Sequence, residues 1–315
     1  MPGGRDSLRA AREKVTMADL QKDDVQEEHR YSQVLTNAFF TFFSDLYLQK
    51  RDAAKRRKGA AGKELNGGDV VGALVGAAQQ ASRTFFRALD YCPPVDVTYL
   101  DFARALLRAD AVAYPAEDGA RRSLKRLFRE RGIGASEKEL VAEQALTNKE
   151  LGPFSVEEIG ATREAAYRFL DAHRKALQIP HEANLRVITL ARTRKASSGL
   201  VYQPRELLLE FVWSEDFTLG EGMAARALAG KRFPLWCGGT LVFDLNGNVL
   251  SYALRLSSPE RRQKVVRYLE YLASRGRLGV TAEGLAAPER PVAAFVDGDR
   301  VRLQRQAALR HEGRS

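Results

Sequence analysis

Cysteine is nearly absent: Cys92 and Cys237 are the two in 315 residues, far apart and each alone. That excludes a disulfide framework and a cysteine-based zinc site, both of which need several thiols at short spacing. No later run approaches the roughly 18 apolar residues a membrane span requires. The N-terminus, Met1 to Lys14, is polar and charged with no apolar core of a signal peptide. The sequence therefore reads as cytoplasmic, in a reducing compartment that suits two lone thiols. Nor is there a dominant charge, since 50 Lys plus Arg against 40 Asp plus Glu leave only +10. Such a surplus permits weak binding to polyanions without demanding it. What is present is enough apolar material for a core. With 44% hydrophobic and 29% charged residues the chain should fold, as one large or two ordinary domains.

The periodicity changes along the chain. Val34, Leu35, Ala38, Phe39, Phe42, Phe43, Leu46 and Tyr47 recur at spacings of three and four, which predicts a helix with a broad aromatic face. Residues 51–68, rich in Lys, Arg, Ala and Gly with no apolar period, are expected to be an exposed linker. A second helix is predicted over 69–91, where Val71, Gly72, Val75 and Gly76 suggest close helix packing and Phe85, Phe86 and Leu89 follow. Cys92-Pro93-Pro94 ends it. Thr98 with Asp101 reads as a capping box for a third helix, whose inner face is Leu100, Ala103, Leu106 and Leu107. A fourth, 118–131, would bury Leu124, Leu127 and Phe128 and close at Gly132. Ser136 opens a short helix broken by Gly152-Pro153. Ser155 with Glu158 caps another that runs to about Leu177.

Beyond that point the branched and aromatic stretches 185–190, 200–213 and 240–256 predict strands. Asn246-Gly247 and Asp297-Gly298 are expected hairpin turns, with a helix over 259–275 between them. The fold class expected is α+β, with a helical part followed by a smaller module of antiparallel hairpins. Its divisions are a polar segment 1–23, a helical domain 24–150, an α+β module 151–285 and a hairpin with a basic tail 286–315.

The helical part has a characteristic order. His29 opens the aromatic helix and a basic loop follows. Next come Thr84-Phe85-Phe86-Arg87-Ala88-Leu89, the Pro93 to Thr98 connection, Tyr99-Leu100-Asp101-Phe102-Ala103-Arg104-Ala105-Leu106, and Leu127-Phe128-Arg129-Glu130-Arg131-Gly132-Ile133. Over roughly 24–134 this resembles the C-terminal helical domain of thermolysin-like (gluzincin) zinc metallopeptidases, most like bacterial homologues of uncertain activity. Trp236 to Leu254, with Arg255 and the 259–272 helix, is similar to the terminal segment of those homologues. The resemblance implies one half of a peptidase cleft. Its zinc-binding half, with the HExxH helix and a downstream glutamate, is missing from this sequence. His181-Glu182 begins like that motif, but Leu185 stands where the second histidine must be.

By resemblance, His29 is the catalytic residue that would donate a hydrogen bond to the oxyanion of the tetrahedral intermediate. Arg30-Tyr31-Ser32 after it depart from the small residue and Gly or Asn-Ser of the family. The bland alternative for His29 is a solvated helix start beside Glu27 and Glu28. No cofactor is expected in this chain, zinc entering only if a partner chain carrying the missing half supplies the ligands. The gene would then be split or its start misassigned. Otherwise the chain is a pseudoenzyme. The reading from another class is a non-catalytic basic scaffold or binding protein, with nucleic acid one version of its partner and a solvated helix face the blander account of its basic clusters. Lys55 to Lys58, the group Arg121, Arg122, Lys125, Arg126 and Arg129, and the trio Arg192, Arg194 and Lys195 would be its contacts. An exposed apolar helical face is expected under the peptidase reading, and a closed helical core under the scaffold one. Two further motifs are read as structural. Gly67 to Gly76 lacks the order of a phosphate loop. Cys237-Gly238-Gly239-Thr240, a nucleophile only if a base were near, more simply allows a tight approach before a strand.

Overall fold

The computed structural model describes residues 15–22, 28–116, 118–141, 146–193, 205–223, 225–280 and 293–303. It is an α+β protein, helices first and then a mixed seven-stranded sheet. After a short helix α1 (Met17–Lys22), the aromatic helix is α2 (Glu28–Ala60). Val34, Ala38, Phe42 and Leu46 are buried along one stripe, with Leu35, Phe39, Phe43 and Tyr47 packed beside it.

The expected linker over 51–68 is mostly helix instead, because α2 continues to Ala60. Lys, Arg and Ala are strong helix formers and need no apolar period to propagate a helix already begun. Ala54 still reaches the interior, and Arg57 and Lys58 occupy the last turn, where cations complement the helix dipole. The connection shrinks to 61–66. Asn66 then caps α3 (Gly67–Leu89): its side chain accepts from the Asp69 N–H while the Asp69 carboxylate accepts from the Asn66 N–H, each at 3.0 Å. Lys58 reaches Asp69 at 3.1 Å and ties the two helix ends together.

Helix α4 (Tyr99–Ala113) carries the expected Thr98–Asp101 capping box and buries Ala103, Leu106 and Leu107. Helix α5 (Gly119–Glu130) buries Leu124, Leu127 and Phe128, and the chain leaves it through Gly132 at φ 72°. Short helices α6 (Glu137–Leu140) and α7 (Asn148–Leu151) follow. The single helix expected from Ser155 to Leu177 is two, α8 (Val156–Ile159) and α9 (Arg163–Ala172). Ser155 accepts the Glu158 N–H as foreseen, but Thr162 starts a new cap by accepting from Ala165. The break falls at Gly160. A Cβ there would lie 2.9 Å from Arg192 Nε and 3.1 Å from Leu207 Cδ1, so the neighbouring sheet leaves little room for a side chain at this corner.

The strands are β1 (Arg186–Arg192), β2 (Glu206–Thr218), β3 (Arg232–Asp244), β4 (Val249–Arg255), β5 (Leu278–Val280), β6 (Ala294–Asp297) and β7 (Arg300–Leu303), with α10 (Pro259–Ser274) after β4. β2 and β3 pair antiparallel along their whole length, from Glu206 opposite Asp244 to Thr218 opposite Arg232. The other edge of β3 is shared, its inner part pairing antiparallel with β4 and its Arg232 end meeting β7 in parallel. Both expected hairpins are present. Gly247 (φ 85°) turns β3 into β4, and Gly298 (φ 58°) turns β6 into β7. Cys237-Gly238-Gly239 lies inside β3 rather than ahead of a strand. A Cβ on Gly238 would stand 2.4 Å from the Phe211 carbonyl oxygen, and one on Gly239 2.7 Å from Phe211 Cζ. The glycines therefore make room for the neighbouring strand and its ring.

Burial explains why β2 carries consecutive apolar residues, Leu207 to Leu209 and Phe211 to Trp213, on either side of Glu210. Leu207, Leu209, Phe211 and Trp213 face the cluster built on α7, α8 and α9, while Leu208 joins Val242 in the core of the helical part. A strand covered on both faces loses its alternation. A third cluster packs Leu269 and Leu272 of α10 against Ala294, Val296 and Val301. Polar contacts stitch helices to sheet. Thr240 Oγ1 donates to the Cys92 carbonyl at 2.6 Å, and Asp101 pairs with Arg255. Buried Arg87 pairs with buried Glu206, and the Tyr91 hydroxyl accepts from Arg87 Nε at 3.0 Å and donates to Glu206 at 2.7 Å.

Candidate functional site

Helices α2 and α3 run antiparallel. The rings of Phe39 and Phe85 meet at 4.8 Å between centroids, and the Lys50 side chain would touch a Cβ on Gly76. The C-terminal end of α3 therefore lies beside the N-terminal turns of α2. His29 stands in the first of those turns, and its side chain lies outside the described residues.

The face that α3 turns inward is not the one its sequence suggests. Ala73, Ala77, Gln80, Ala81, Thr84, Arg87 and Ala88 are buried, a stripe at spacings of three and four made mostly of small residues. Small side chains let the backbones of α2 and α3 approach closely. Gly72, by contrast, faces open space, and the expected packing residues Val71 and Val75 are 59% and 47% exposed. With Leu74 at 45%, Phe86 at 65% and Leu89 at 51%, they share the outer side of the helix as two apolar patches, separated by the exposed Ala78, Gln79 and Ser82.

The remaining candidates separate cleanly. His173 has Nδ1 2.7 Å from the Phe169 carbonyl oxygen and Nε2 2.8 Å from that of Leu151, so it pins α7 to the end of α9. His181 and Glu182 sit in a turn before β1 with side chains 94% and 98% exposed, which does not fit a ligand helix. His311 lies outside the described residues. Among the described residues no group of three or more His, Cys, Asp or Glu is placed to hold a metal ion. Both thiols are buried and free. Desolvation, then the nearby Asp90, pushes Cys92 up to about 12. Desolvation and Glu215 push Cys237 up to about 11, against the opposing pull of Arg261. A nucleophilic cysteine needs its thiolate, so neither is poised to attack at neutral pH.

The basic cluster on α5 is largely neutralised within the fold. Arg121 pairs with buried Asp110, Arg122 with Asp118, Lys125 with Glu137, and Arg126 with both Asp45 and Glu130. Arg192 spends a donor on the Glu157 carbonyl, and Arg194 and Lys195 lie outside the described residues. An exposed apolar helical face is what the peptidase reading expects, but its residues on α3 were not identified, since two helical faces of one sequence can both be apolar and only packing selects between them. Among the described residues no helix is long and apolar enough to cross a membrane. Comparison with protein-family profiles, with curated proteins and with solved structures finds no match to this chain.

Proposed function

We propose that the chain is a partial thermolysin-like metallopeptidase homologue, inactive alone, whose helical part docks a second polypeptide that carries the zinc-binding half. The observation that carries this reading is the exposure of Val71, Leu74 and Val75 near the start of α3 and of Phe86 and Leu89 near its end, on the outer face of the helix that packs against α2, the helix that bears His29. Large apolar side chains left in water near both ends of one helix face favour a protein partner. In the assembled site the partner would hold zinc, which polarises the scissile carbonyl and activates water. His29 would supply a hydrogen bond to the oxyanion. The reading places the chain in the cytoplasm, in keeping with two free thiols.

The experiment is recovery of the chain, tagged at its C-terminus at the native locus, with mass spectrometry of what accompanies it. A polypeptide carrying HExxH should co-purify and be released by Leu74→Glu. Zinc-dependent peptide hydrolysis should require both chains and fall on His29→Ala. Hydrolysis by the purified chain alone, or recovery without any HExxH-bearing polypeptide, overturns the proposal. The scaffold reading has one observation in its favour: the chain closes part of its own helical core, with Leu208 and Val242 of the sheet. Its nucleic-acid version is weakened by the ion pairs of α5, and a shift assay at low salt tests it directly.

A further inference from the structure

The sheet face that packs on the helices through Leu208 and Val242 continues past Val212, where among the described residues no helix packs across it. There it forms a groove of about 660 Å³ between β1, the Pro94–Asp96 turn and α10. Four large apolar side chains from four separate elements converge on it: Ile188 of β1, Trp236 of β3, Tyr268 of α10 and Leu303 of β7. Each is between 39% and 44% exposed. Singly such residues need no explanation, but their convergence on one concavity does.

The charges lining the groove are one-sided. Asp96 is the lining carboxylate, and it is already engaged by Arg261, whose Nε donates to it at 2.8 Å. The other Arg261 donors reach the Leu256 and Trp236 carbonyls at 2.6 and 2.9 Å, so this arginine is committed to holding the groove in shape. Arg186 and Lys264, on β1 and α10, are exposed and have no ion-pair partner among the described residues. The contrast with α5, where four of the five clustered cations are paired, makes these two distinctive.

We propose that this groove binds an acidic segment of another polypeptide, which seats apolar side chains against Ile188, Trp236, Tyr268 and Leu303 while its carboxylates meet Arg186 and Lys264. An enclosed cavity that buries most of its ligand is what a small molecule requires. Here the apolar side chains remain open to solvent, and a segment that brings its own anchors covers them. The pattern of apolar anchors inside charged rims is that of peptide-recognition grooves, and charge complementarity sets the partner and the rate of encounter. This inference is independent of the peptidase reading, because the groove lies on the sheet and shares no residue with the α3 stripe.

The two tryptophans supply the readout. Trp213 is buried and donates to Glu215 at 3.0 Å, whereas Trp236 is open, so acrylamide quenching reports on Trp236. The probe is a synthetic Asp- and Glu-rich peptide with Leu and Phe anchors, set against a copy with Lys for every acidic residue and a copy with Ser for every anchor. Sodium dodecanoate represents a small amphiphile. The acidic peptide should shield Trp236, more weakly as salt rises. Arg186→Glu with Lys264→Glu should weaken it about tenfold or more, and both control peptides should fail. Equal shielding by the Lys peptide, shielding by dodecanoate without the acidic peptide, self-shielding as the protein is concentrated, or no shielding at all would each overturn the proposal. If the double reversal fails to fold, the peptide controls still decide.

Discussion

The two faces of α3 invert the usual division of side chains. Its inner face is built of Ala73, Ala77, Ala81, Thr84 and Ala88, and its outer face of Val71, Leu74, Val75, Phe86 and Leu89. Size, rather than apolarity alone, decides which stripe goes in. Against the bulky Val34, Phe42 and Leu46 of α2 only a small-residue face permits close approach, and interiors are packed too densely to accept large residues on both sides. The lesson is that a helix with two apolar stripes has one for its own core and one left over. The remainder is where a partner should be sought.

The costliest substitution is expected at the polar end of the inner face. Arg87 and Glu206 are both buried, and Tyr91 bridges them. Glu206→Ala leaves the buried guanidinium without its carboxylate and the Tyr91 O–H without its acceptor, and should cost about 3–5 kcal/mol in urea unfolding. Replacing Arg87, Tyr91 and Glu206 together by apolar residues of similar volume should recover most of that loss, since the penalty lies in the orphaned charge.

A smaller effect is expected where the inner face is purely apolar. Ala81→Leu forces a large side chain between α2 and α3 and should destabilise by about 1–3 kcal/mol. On the outer face the same exchange of size should do almost nothing. Leu74→Ser and Phe86→Ser should stay within about 0.5 kcal/mol of the parent chain while abolishing partner recovery. A large stability loss from Leu74→Ser would mean the outer stripe is covered, removing the support for the proposed docking.

What was legible in the sequence was what local chemistry dictates. The Thr98–Asp101 box, the Ser155 cap, and the Asn246-Gly247 and Asp297-Gly298 turns are each set by residues within a few positions of one another. What was not legible depended on distant contacts. The charged run 51–60 is helical because α2 is already nucleated and Ala54 finds the core. Gly160 is crowded by Arg192 and Leu207 from the sheet, and Gly238-Gly239 sit within a strand because Phe211 lies opposite. The groove around Trp236 gathers residues separated by more than a hundred positions, so no window of sequence contains it.

The smallest expected effect is at the C-terminus of α3, where Asp90 is the cap. Burial and the neighbouring Glu210 hold its carboxyl above the ordinary 3.8, with Arg87 pulling the other way. An acid whose folded value is raised is penalised when ionised. The penalty is therefore absent below the unfolded value, grows as pH rises through the folded one, and is complete at neutral pH. The negative end of the helix dipole acts in the same sense. Asp90→Asn should thus stabilise at about pH 7 and lose its advantage near about pH 3. The gain should be modest, about 0.3 kcal/mol, because the carboxyl is only partly desolvated and solvent screens the rest. Thermal melts of parent and variant at both pH values check the sign. A gain that is the same at both would assign the effect to capping rather than charge, and would mean that Asp90 and Glu210 do not repel across the seam between helix and sheet.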